Sequence, residues 1–243
     1  MSLRRRFFPE ANIGGFSHAD VGVSMFTQVD SILRSTDRVL DFGAGRGEHI
    51  IDNDVEYRRQ LFDLRHRCAH VEGCDVDEAV MGNPYLHHAE VLKAGERFPY
   101  ADDSFDIIIS RFVYEHVEDS RFVASELLRI LKPGGTIAAL TPNKYGYIAL
   151  VARAVPNRLH VRALTFIQPK RKAVDVFPTA YKLNSKRALR SAFGPGVEIF
   201  IQYCSGEPAY HFGNALLFRA FMWLHKYLPS ALQPLLIVYV RKR

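Results

Sequence analysis

Hydrophobic residues recur along this chain in two rhythms, short continuous runs and a helical period. Val21, Met25, Val29 and Ile32-Leu33 keep helical spacing and predict a helix over 21–33. The run 38–42 that follows has the length and apolarity of a buried parallel strand. A polar helix over 48–66, exposed or forming a small surface insertion, is expected, and a second strand over 70–77. Phe105-Asp106-Ile107-Ile108-Ile109-Ser110 reads as the fourth strand. A helix over 119–131 then sets Phe122, Leu127, Leu128 and Leu131 on its inner face, and Lys132-Pro133-Gly134-Gly135 breaks it before a strand over 136–140. Short helices are expected over 147–155 and 158–167, and a helix over 183–193 has Asn184 or Ser185 as its cap. An alternating strand (197–203), a helix (214–227) and a final strand (234–241) complete the chain. Strands alternating with helices predict an α/β domain, a mostly parallel sheet with helices on both faces.

The junction after the first strand carries the most chemistry. Gly43, Gly45 and Gly47 alternate with Ala44 and Arg46, and Asp41 stands two positions before the first glycine. Glycines there allow a sharp turn and close approach of a ligand to the backbone, and the following helix aims its first N–H groups at it. The spacing is G-x-G-x-G, whereas dinucleotide enzymes use G-x-G-x-x-G. A carboxylate at Asp41 suits a ligand bearing an ammonium group better than a pyrophosphate. About thirty residues on, Asp75 ends the second strand, where a carboxylate can accept two hydrogen bonds from a ribose diol. Asp77 is expected to cap the next helix, and Asn83-Pro84-Tyr85 reads as a turn.

The order of these features, together with Phe105-Asp106, Glu115-His116-Val117 and Leu131-Lys132-Pro133-Gly134-Gly135, resembles the class I S-adenosylmethionine-dependent methyltransferases over roughly residues 37 to 142. The resemblance implies a Rossmann-like, doubly wound, seven-stranded sheet with an antiparallel edge strand and helical insertions. It implies S-adenosyl-L-methionine as cofactor, with Asp41, Gly43, Gly45, Gly47 and Asp75 binding it. Glu96 stands near the position where relatives place an aspartate beside the adenine. Glu115 and His116, where strand four meets the crevice, are the candidate catalytic pair. His18, Tyr145 and Tyr181 are further pocket candidates, and Arg46 meets the cofactor carboxylate or lies on the surface. One domain is expected over 1–243: an N-terminal cap (1–36), a cofactor-binding core (37–142), an insertion (143–182) and a C-terminal core with a helical insertion (183–243).

Charge bears on the partner. Residues 1–142 hold 16 Lys+Arg and 23 Asp+Glu, and residues 143–243 hold 16 and 3, so the last third is strongly basic. A basic surface points to an anionic partner: lipid headgroups, an acidic substrate or nucleic acid. Aromatics beside basic residues over 214–227 fit a helix at a membrane interface, and Lys170-Arg171-Lys172 adds a basic loop. The expected acceptor is a small molecule, a lipid or a lipid-linked saccharide methylated on oxygen. The alternatives are an RNA methyltransferase and a non-catalytic subunit that binds the same cofactor. A nicotinamide oxidoreductase is disfavoured by the glycine spacing and by the lack of a Tyr-x-x-x-Lys pair. Three cysteines without C-x-x-C pairing, no metal-ligand spacing and no apolar run of ~18 residues fit a cytoplasmic protein with peripheral contact at the inner membrane face.

Overall fold

The computed structural model describes residues 2–154 and 179–243. The predicted helix over 158–167 and the basic run Lys170-Arg171-Lys172 lie outside the described residues. Seven strands form one sheet: β1 (Arg38–Phe42), β2 (His70–Asp75), β3 (His88–Val91), β4 (Phe105–Arg111), β5 (Leu131–Pro142), β6 (Val197–Cys204) and β7 (Leu235–Lys242). Their spatial order is β3-β2-β1-β4-β5-β7-β6. β1 to β5 pair in parallel, and β7 runs antiparallel to both β5 and β6. The antiparallel strand therefore lies one place in from the edge, and β6 forms the edge itself.

Nine α-helices surround the sheet in the described residues: α1 (Leu3–Phe7), α2 (Ala11–Gly14), α3 (Val21–Ile32), α4 (Glu48–Ile51), α5 (Glu56–Phe62), α6 (Ser120–Ile130), α7 (Tyr147–Ala154), α8 (Lys186–Phe193) and α9 (Ala215–Tyr227). Alternation along the strands divides the core between the two faces. Ile108, Ile137 and Val238 pack toward Leu127 and Ile130 of α6 and Leu189 and Phe193 of α8. Ile107, Ile109 and Ile237 pack toward Met25, Phe26 and Val29 of α3 and Leu61 and Phe62 of α5. A third, smaller cluster joins Phe8 and Ala11 of the N-terminal cap to Phe218 of α9.

Two expected elements differ. The polar helix over 48–66 is two short helices, because Asn53 turns the chain between them: its Nδ2 donates to the His49 carbonyl and its Oδ1 accepts from the Val55 N–H. The Pro-Gly-Gly stretch is absorbed into β5 as an irregularity, with Phe105 facing Leu131 and Ile107 facing Thr136. Elsewhere the caps are as expected: Asp77 caps the one-turn 3-10 helix at 78–82, and Ser185 caps α8. The strand order reverses between β1 and β4, so a crevice opens at their carboxyl ends.

Candidate active site

Gly43 leaves β1 with φ +80°, and its N–H and that of Ala44 donate to the Cys74 carbonyl at the end of β2 (2.8 and 3.1 Å). A Cβ on Gly43 would stand 2.1 Å from Val113 Cγ2, so only glycine lets the loop after β4 close over this turn. Gly45, at φ +47°, faces open space: a Cβ there would meet nothing nearer than Glu48 Oε2 at 3.7 Å and Asp75 Oδ2 at 3.9 Å. The Gly45 N–H donates to Asp75 Oδ2 (2.9 Å), and the Asp77 N–H donates to Oδ1 (3.0 Å). Each carboxylate oxygen keeps a further lone pair for a diol. Burial raises the Asp75 pKa, and the backbone N–H groups oppose that rise.

Asn83 holds this cradle from behind. Buried at 8% exposure, it donates from Nδ2 to the carbonyls of Ala44 (3.3 Å) and Gly45 (3.2 Å), while its Oδ1 accepts from the Tyr85 N–H. The Asn83-Pro84-Tyr85 turn is present, and its asparagine fixes the glycine loop, a role that the turn motif alone does not signal. The signal that bears on it is Gly47, whose Cβ would strike Asn83 Oδ1 at 2.7 Å.

Asp41 lies beneath the loop. Desolvation pushes its pKa up to about 7, and the half-buried Arg111 at the end of β4 opposes that rise. Burial also lowers the pKa of Arg111, and burial with Arg111 nearby lowers that of His49 well below its ordinary value. A buried carboxylate so poorly compensated is suited to a cationic group, and the cradle beside it to a ribose. An ammonium-bearing, ribose-bearing cofactor fits both. Arg46 pairs with Asp52 beside the cradle.

Glu115 and His116 follow β4. Glu115 is buried: Thr141 Oγ1 donates to its Oε2 (3.2 Å), and its carbonyl accepts from the N–H groups of Ala180 and Tyr181 (2.6 and 3.0 Å). Asn184 Nδ2 donates to Thr141 Oγ1 at 2.7 Å, so the start of α8 is tied to the ends of β4 and β5. His116 Nε2 stands 3.9 Å from Glu115 Oε1. Glu96 occupies an exposed turn, 3.9 Å from Lys93. That turn follows Leu92, whose N–H donates to the Asp75 carbonyl. The structure thus gathers Asp41, the three glycines and Asp75 into one cradle, with Glu115 and His116 in the turn that follows the neighbouring strand β4. Tyr145 is exposed, and Tyr181 enters through its backbone.

A cavity of about 540 Å³ opens between the N-terminal cap, α3, the end of β6 and α9. Phe7, Phe8, Tyr203 and Met222 give it an apolar wall, and His18, His225 and Lys226 give it a polar rim. Asp20, at the start of α3, lines it and also acts electrostatically on Arg111, the neighbour of Asp41. Tyr147 Oη lies 2.8 Å from His225 Nε2. His18 was among the sequence candidates; His225 was not, since a histidine within an aromatic helix carries no signal of its own.

Residues 40–139 match the family model described as a methyltransferase domain. Over these residues the chain carries a methyltransferase domain of the class I S-adenosylmethionine-dependent type. A probable S-adenosylmethionine-dependent methyltransferase of Mycolicibacterium smegmatis is 33% identical over 131 residues, 52% of this chain and 46% of that protein. A demethylmenaquinone methyltransferase of Beutenbergia cavernae is 28% identical over 145 residues, 57% of each. The chain thus spans about half the length of the curated relatives it matches. The crystal structure of an S-adenosylmethionine-dependent methyltransferase from Mesorhizobium loti has the same fold, with a TM-score of 0.53 at 18% identity, covering 91% of this chain and 98% of that one.

Proposed function

We propose that this protein methylates a hydroxyl group on a lipophilic acceptor of the quinol or lipid class, with S-adenosylmethionine as donor. The observation that supports the reading is an aromatic-walled cavity at the carboxyl end of the sheet, the end that also carries the glycine–Asp75 cradle. The demethylmenaquinone relative supports the acceptor class. The bound cofactor supplies a methyl group on a sulfonium, already a good leaving group. The chain's own residues then have three tasks. Asp41 holds the ammonium end, Asp75 accepts from the ribose hydroxyls, and the loop after β4 presents the acceptor. Holding the reacting groups in line supplies much of the acceleration. In this reading His116 takes the proton of the acceptor hydroxyl, and Glu115 beside it favours the imidazolium that results.

Transfer of labelled methyl from S-adenosylmethionine to quinols and phenolic lipids tests the reading, with the product's attacked atom fixed by mass spectrometry and NMR. His116→Ala is expected to lower kcat by about 10²- to 10⁴-fold, the usual worth of a general base. It should leave cofactor affinity unchanged. Ser24→Phe, which fills the cavity from α3, is expected to raise the acceptor KM. Full turnover in both variants would refute the assignment of base and cavity. Methylation of a ring carbon would correct the attacked atom, and methylation of RNA alone would replace the acceptor class.

A further inference from the structure

The aromatic helix α9 has two unlike sides. Phe218 and Met222 face the N-terminal cap, with Phe218 stacked on Phe7 (ring centroids 5.1 Å), and Phe221 and His225 face Tyr147 of α7. On the opposite side Leu216, Ala220, Trp223 and Tyr227 recur at helical spacing and are all exposed, with Leu216 at 80% and Trp223 at 66%. Arg219 and Lys226 are exposed along one flank of this stripe. Phe212, just before the helix, is exposed as well.

The charge around the stripe has one sign. Neither α1 nor α9 contains an acidic residue, and α1, packed against α9, exposes Arg5 and Arg6. From residue 205 to the C-terminus the sequence has one acid, Glu207. It is bound to Arg4 and Ser17 and turned into the protein. An apolar stripe flanked by cations on one helix has the form of an interfacial helix, with the stripe at acyl depth and the cations among phosphates. Single-stranded nucleic acid would match the cations but would leave Leu216 without a partner.

We propose that α9, with Arg5 and Arg6 of α1 beside it, docks the protein on an anionic lipid bilayer. The docking stands independently of the transfer reading. Joined to that reading, it explains the position of the cavity, whose walls include Phe7 of α1, Phe8 at its end, and Met222 and Lys226 of α9. A lipophilic acceptor could then pass from the membrane into the protein between those two helices.

Trp223 is the chain's single tryptophan, so its fluorescence reports directly on the stripe. The full-length protein is titrated with phosphatidylglycerol–phosphatidylcholine vesicles, with pure phosphatidylcholine vesicles and with a single-stranded RNA oligonucleotide, at low and high salt. A blue shift of the emission is expected with the anionic vesicles, with quenching by brominated acyl chains and weaker binding at high salt. Leu216→Glu with Tyr227→Glu, both at exposed sites, should abolish vesicle co-sedimentation while circular dichroism stays unchanged. Arg219→Glu with Lys226→Glu should weaken it at least tenfold. Absence of the shift at low salt would overturn the proposal. So would equal vesicle binding by the Leu216→Glu, Tyr227→Glu protein, self-association that accounts for the shift without lipid, or retention on RNA alone.

Discussion

At the end of β1 the Asp41 carboxyl is pushed up to about 7 by burial, against an ordinary value of 3.8. Between those two pH values the folded protein without cofactor holds a proton that the unfolded chain has lost. Stability must therefore fall as pH rises from about 4 to 7, by up to about 4 kcal/mol if the whole shift is expressed. Thermal melts of the cofactor-free protein across pH 5 to 8 should show this decline, and Asp41→Asn should flatten it. The same substitution removes the carboxylate proposed to meet the ammonium group and should weaken cofactor binding at pH 8. Stability and affinity thus move in opposite directions, and a variant that loses both would contradict the assignment. The glycine spacing and the carboxylates at two strand ends were legible in the sequence, because backbone turns and ribose contacts demand those residue types. The raised pKa of Asp41 was not, since the groups that act on it include Asp75 and Arg111, brought beside it only by strand pairing. Nor was the role of Asn83, whose two donors meet the Ala44 and Gly45 carbonyls only after β1 and β2 pair.

The elements of the core follow from local pattern where the pattern is strong. Helix α3 and strands β1 and β4 have the expected places because their apolar residues keep one period throughout. The stretch 48–66 is two helices because Asp52-Asn53-Asp54 favours a turn over a helix interior, and the Asn53 side chain fixes that turn with its hydrogen bonds. Asn83 plays a similar part for the glycine loop. Asn83→Ala removes two neutral hydrogen bonds to the loop and one within the turn, each worth about 0.5–1.5 kcal/mol. Urea unfolding should show a loss of about 1–3 kcal/mol, and calorimetry a cofactor affinity lowered several-fold through a looser loop. Between β4 and β5, the contact of Glu115 with Thr141 explains why a glutamate is buried beside the candidate base. Glu115→Gln should keep that hydrogen bond while removing the charge next to His116. A fall in kcat with unchanged stability would mark electrostatic support of His116, whereas equal losses in both would mark a packing role.

Across the whole molecule, the N-terminal cap and the C-terminal region are joined by charge. Glu207 accepts from Arg4 Nε (2.7 Å) and from Ser17 Oγ (2.8 Å), and it lies 4.0 Å from Arg58, which also pairs with Asp20. Glu207→Ala leaves these partly buried donors short of a partner. It should cost about 1–3 kcal/mol in urea unfolding and expose the cap to limited proteolysis. The sequence showed the charge split between the two parts but not this junction, because ion pairs over some two hundred residues leave no local trace. The same topology brings the cap, α3 and α9 around a cavity at the end of the sheet that carries the glycine–Asp75 cradle, and the account rests on that cradle. The most direct test is calorimetric titration of the wild-type protein and Asp75→Ala with S-adenosylmethionine and with NAD. The wild type should bind S-adenosylmethionine and not NAD. Asp75→Ala, folded as judged by circular dichroism, should bind it about 10- to 1,000-fold more weakly, the worth of one or two hydrogen bonds to a charged acceptor. Unchanged affinity in Asp75→Ala, or tighter binding of NAD than of S-adenosylmethionine by the wild type, would contradict it.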